Sequence, residues 1–134
     1  MKREVLLIAA MTLASCQSGK PAGDVKGPSV RGDKSALSTM ERVALGANEC
    51  WYKRGDPAFK GTKFSPELSS YSGKPRILVV PGKNIGGLPS LVVEATGNPA
   101  RLSAYGPMMQ GPHAGKITED VNRWAGGTKS CRAA

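Results

Sequence analysis

The chain has 134 residues and a formal net charge of +9, with only 5% aromatic residues and a single histidine. That length suits one domain with a small, aliphatic core. One histidine, no Cys-x-x-Cys and no Gly-x-Ser-x-Gly argue against a nucleophile–base hydrolase and against a tetrahedral zinc site.

The first expected element is a leader. Lys2 and Arg3 precede an apolar run over residues 5–15, which ends in small residues before Cys16. This pattern predicts a secretory signal peptide over residues 1–15. The run falls short of the roughly 20 apolar residues that a bilayer span needs. Leu13-Ala14-Ser15-Cys16 resembles the lipobox of bacterial lipoproteins. The resemblance implies a diacylglyceryl group on the Cys16 thiol, cleavage before Cys16, and acylation of the new amino group. Two or more acyl chains make a stable membrane anchor, whereas one is marginal. Gln17, where inner-membrane lipoproteins of enteric-type bacteria carry aspartate, resembles the outer-membrane pattern.

Residues 1–15 hold Lys2, Arg3 and Glu4, one net positive charge, so the remaining 119 residues keep +8. In a cytosolic chain that charge would suggest nucleic acid. Export removes that partner. It leaves the membrane reached through the N-terminal lipid, and then envelope proteins or anionic lipid and glycan. With Cys16 lipidated, Cys50 and Cys131 form an even pair in an oxidising compartment, which predicts a disulfide. They lie 81 residues apart, so the bridge would stabilise a small core by roughly 4–5 kcal/mol in the chain-entropy model.

Residues 16–34 comprise the lipidated cysteine and a Gly/Pro/Ser-rich flexible tether. About 18 flexible residues have an r.m.s. reach near 23 Å. Residues 35–134 form a single domain. Its first helix is expected from Ser35, with Leu37, Met40, Val43, Ala44, Ala47 and Trp51 on one face and Ser38 with Glu41 as a capping box. Gly46 weakens the middle of that helix. A turn follows at residues 52–57, then a short edge strand within residues 58–64 anchored by Phe59, then a helical turn at Pro66-Glu67-Leu68. Strands are expected at residues 76–81, 88–96 and 101–105. Leu91, Val93 and Ala95 alternate with Val92, Glu94 and Thr96, and Leu102 and Ala104 with Arg101, Ser103 and Tyr105. Residues 82–87 join two strands, so their glycines suit a hairpin and not a phosphate loop, which lies between a strand and a helix. The last helix is expected over about residues 116–125, with Ile117, Val121, Trp124 and Ala125 inward and Glu119 and Asp120 in an acidic first turn.

The order predicts an α+β fold: a small antiparallel sheet of three to four strands, two helices packed on one face, and one disulfide. The candidate binding surface is the outer strand face at Arg76, Arg101 and Tyr105, with Lys83 in the hairpin. No catalytic residue, metal ligand or cofactor site is expected. Glu67, Glu94, Glu119 and Asp120 show no framing that singles out an acid/base pair. The stretches ECWYKRGDPAF, SYSGKPRILVVP, GLPSLVVEATG and RWAGGTKSC resemble small uncharacterised envelope lipoproteins of alphaproteobacteria over about residues 48–131. That resemblance implies no activity. The expectation is therefore a non-catalytic, lipid-anchored accessory or binding component at the outer membrane. The alternative is a periplasmic inhibitor or ligand-binding module for wall-active enzymes or anionic polymers. Basic loops argue against an inhibitor of lysozyme, which is itself basic.

Overall fold

The computed structural model describes residues 24–25, 34–69, 73–84 and 86–132. The expected signal peptide, the Cys16 lipidation site and most of the expected tether lie outside these residues. Among the described residues, four strands form an antiparallel meander: β2 (Thr62–Glu67), β3 (Arg76–Pro81), β4 (Leu91–Thr96) and β5 (Arg101–Tyr105). A two-residue strand, β1 (Asp24–Val25), pairs antiparallel with β5, so the sheet order is β1-β5-β4-β3-β2. Helices α1 (Ala36–Ala47) and α2 (Ala114–Ala125) cover one face of the sheet. The fold is α+β, as the residue pattern predicts.

Alternation decides which face is covered. Ile77 and Val79 of β3, Leu91, Val93 and Ala95 of β4, and Leu102 and Ala104 of β5 are all buried in one cluster with the helices. The helices contribute Met40, Val43, Ala47, Ile117, Val121 and Trp124 to it. The intervening residues face the other way. The helix-covered face carries the continuous core, while Val80 and Val92 are buried on the opposite face, outside that cluster.

Helix α1 starts one turn earlier than the expected capping box. Ser35 is the N-cap, and its hydroxyl accepts from the Ser38 amide at 3.3 Å. The Ser38 hydroxyl instead accepts from Arg42 Nη1 at 3.0 Å. The helix start is fixed outside the helix, because the Ala36 amide donates to Gly97 O and Lys34 O accepts from the Ala100 amide. Gly46 is a crossing point. A Cβ there would lie 2.3 Å from the Trp124 indole, so glycine lets the two helices approach. Past Ala47 the chain widens into a π-helical segment, Asn48–Lys53, with the Arg54 amide donating to Glu49 O five residues back. Cys50 and Trp51 are both buried within this segment.

Three boundaries differ from the sequence reading. Phe59 is buried in a 3-10 turn, Pro57–Phe59, and the edge strand follows it at Thr62–Glu67. Pro66 and Glu67 are thus in strand conformation and not in a helical turn. An edge strand tolerates proline because one side of its backbone needs no partner. Strand β4 begins at Leu91, leaving Leu88 in the hairpin, 89% exposed. Helix α2 begins at Ala114, so Asp120 is mid-helix and 1% exposed, not part of an acidic first turn. The bridge Cys50–Cys131 is present, with Cα atoms 5.4 Å apart. It joins the π-helical segment to the chain beyond α2.

Candidate functional site

The outer sheet face is built by register. Glu67 pairs with Arg76, Arg76 with Glu94, and Glu94 with Ser103. Arg76 Nε donates to Glu67 Oε2 at 2.6 Å, and that bond holds the guanidinium pKa above its ordinary value. Both side chains remain about one-third exposed, so the pair contributes at most about 1 kcal/mol. Tyr105 Oη donates to Glu94 Oε2 at 3.3 Å. Partial burial and the Glu94 charge raise the phenol pKa, so Tyr105 stays neutral. Tyr105 is thus tied to Glu94, which sits opposite Arg76 in the register. Arg101 sits across from Thr96, at the Arg76 end of the sheet. Lys83 lies in the turn after Pro81, beyond the opposite end of β3. The four expected binding residues share a sheet but do not converge on one point, and Glu67 and Glu94 offset much of their charge.

Between those ends the face is aliphatic. Val80 and Val92 are buried on it, and Leu78 is half-buried. Lys63 and Ser65 of β2 complete it, opposite Val80 and Leu78. The sequence pattern alone does not place Lys63, Ser65 and Glu67 on this face. Their alternation with Thr62, Phe64 and Pro66 is the period-two signal for the strand, masked by a proline that resembles a helix start.

A second polar group is interior. Asp120 Oδ2 accepts from Trp51 Nε1 at 2.9 Å and from Lys116 Nζ at 2.7 Å, and Oδ1 accepts from Arg123 Nη2 at 2.6 Å. Burial alone would raise its pKa, but the bonds from Lys116, Trp51 and Arg123 outweigh it and hold the carboxyl below the ordinary value. Lys116 Nζ also reaches Asp56 Oδ2 at 2.5 Å. Arg54, Asp56, Lys116 and Arg132 line an open cleft of about 660 Å³ beside the Cys50–Cys131 bridge. A carboxylate with three donors on it is suited to locking α2 against Trp51, not to taking up a proton. Among the described residues, no group of three or more His, Cys, Asp or Glu side chains is placed to hold a metal ion.

The third feature is apolar. Leu45 of α1 is 70% exposed, and beside it a cleft of about 270 Å³ is lined by Gly46, Trp124 and Lys129. On its other side, Ala44, Phe64, Pro66 and Leu68 line a shallow groove. Among the described residues, no helix is long and apolar enough to cross a membrane. Compared with known protein families, with curated proteins and with solved structures, the chain matches none of them.

Proposed function

We propose that this chain is a lipid-anchored protein of the bacterial envelope, held at the outer membrane through Cys16, and that its domain is a non-catalytic accessory or binding component. The observation that carries this reading is the Cys50–Cys131 bridge. A disulfide is the mark of an oxidising compartment, and it leaves Cys16, at the end of an apolar leader, as the remaining cysteine. The saturated state of Asp120 favours a structural role for the buried charge. The outer sheet face, with Arg76, Arg101 and Tyr105 exposed or half-exposed, is the surface offered to an envelope protein or to anionic lipid or glycan.

Crosslinking in intact cells tests the reading. A C-terminally tagged wild type is compared with Cys16→Ala, and the captured material is identified by mass spectrometry. The expected result is a defined set of envelope components that the unanchored variant loses. Capture of cytosolic proteins, or identical capture by both forms, would refute it.

A further inference from the structure

Strand direction fixes the end of the sheet that Asp24, the first residue of β1, faces. Strand β5 runs from Arg101 to Tyr105, and β1 is antiparallel to it, with Asp24 opposite Ser103 and Val25 opposite Leu102. The chain therefore enters β1 from the Tyr105 end of the sheet. Tyr105 pairs with Val92, Leu91 with Val79, and Pro81 with Thr62. That end therefore also carries the β3–β4 hairpin and the start of β2. Cys16 and Asp24 are eight residues apart, a span of at most about 27 Å for a fully extended chain.

Three lysines gather at this end. The Gly82 amide donates to Gly61 O at 2.8 Å, which closes the β2–β3 ladder and sets Lys60 and Lys63 beside Lys83. The approach requires glycine at 82, since a Cβ there would lie 2.8 Å from that same oxygen. All three lysines are exposed, and none makes an ion pair among the described residues. The carboxylates of Glu49, Asp56, Glu67, Glu119 and Asp120 are engaged by other cations. Leu88 projects from the hairpin at the same end, the most exposed large hydrophobic side chain of the described residues. Lys63 has a simpler use, since lysine and proline on edge strand β2 discourage strand addition. That use does not explain Lys60 or Lys83, and it does not explain Leu88. Cations around a protruding apolar side chain suit a surface with anionic head groups above acyl chains.

We infer that the end of the domain bearing Lys60, Lys63, Lys83 and Leu88 docks on anionic lipid head groups of the membrane that holds its N-terminus. The inference rests on the lipid-anchored reading above for the nearness of that membrane. The lysines bind the phosphate layer, and Leu88 enters the boundary beneath it. Lys34 lies at the opposite end of the sheet, where its carbonyl accepts from the Ala100 amide, and in this arrangement that end is the one farther from the bilayer.

The test uses a chain that begins at residue 16 and carries Cys16→Ser, which keeps every described residue and bears no acyl chain. It is sedimented with vesicles of one part phosphatidylglycerol to two parts phosphatidylethanolamine, and separately with phosphatidylcholine vesicles. Binding to the anionic vesicles alone is expected, weakening as salt rises. Each lysine near an anionic surface is worth about fivefold. The combined Lys60→Gln, Lys63→Gln, Lys83→Gln variant should therefore bind about a hundredfold more weakly, with its melting temperature unchanged. Leu88→Ser should bind more weakly at every salt concentration, and Lys34→Gln should bind within about threefold of the unsubstituted chain. Equal losses at the two ends, equal binding to both vesicles, or binding to a soluble anionic wall polymer without vesicle binding would overturn the inference. Palmitate labelling of the wild type in cells tests the anchor independently: an unlabelled protein that still binds vesicles refutes the anchor and leaves the docking surface standing.

Discussion

Asp120 is where burial and charge meet most sharply. Its folded pKa lies below the ordinary aspartate value, near 3.9, so its bonds contribute fully above about pH 4. They are lost as pH falls through the depressed folded value. Asp120→Asn should flatten that part of the acid limb in a plot of unfolding free energy against pH. Asp120→Ala should cost about 3 kcal/mol at neutral pH, because Lys116 and Arg123 lose their buried partner. Urea titration of both variants across pH measures this. Gly46 sets two effects against each other. Replacing a mid-helix glycine by alanine ordinarily gains up to about 1 kcal/mol. Here the new Cβ would meet the Trp124 ring at 2.3 Å, and overpacking costs about 1–3 kcal/mol. Gly46→Ala is therefore expected to lower the melting temperature despite better helix propensity.

At the scale of elements, the N-cap offers a clear discrimination. Ser35→Ala removes the hydroxyl that accepts from the Ser38 amide and should cost about 1 kcal/mol. Glu41→Ala, which would break a Ser38–Glu41 capping box, should be close to neutral in the same thermal melt. Strands β4 and β5 are legible because each alternates, and β3 because its β-branched, apolar run is bounded by Pro75 and Pro81. Strand β2 is not, because Pro66-Glu67 carries a local helix-start signal that pairing with β3 overrides. The π-helical segment had no local signature either. It arises where Cys50 must reach Cys131 while Trp51 stacks on Phe59 with ring centroids 4.1 Å apart. Such demands come from distant residues, and a single-sequence pattern does not carry them.

For the whole molecule, the bridge is the staple that a small core needs. Reduction, or Cys50→Ser with Cys131→Ser, should remove roughly 4–5 kcal/mol in the chain-entropy model. At about 4 °C or more per kcal/mol, the melting temperature should fall by upward of 15 °C. The α+β layout and the disulfide were readable in advance, since alternation, helical spacing and cysteine parity are local or countable. The surface was only partly so. Arg76, Arg101 and Tyr105 do face outward together, but of the acids that offset them only Glu94 is legible on that face, because Pro66-Glu67-Leu68 reads locally as a helical turn. The lysine cluster depends on register, which joins residues 60 and 63 to residue 83.

The measurement that bears most directly on membrane anchoring is the mass of the N-terminal peptide of the protein purified from cells fed palmitate. The expected peptide begins at Cys16 and carries acyl chains, and Cys16→Ala carries none. A wild-type peptide that begins elsewhere, or that begins at an unmodified Cys16, would contradict lipid anchoring.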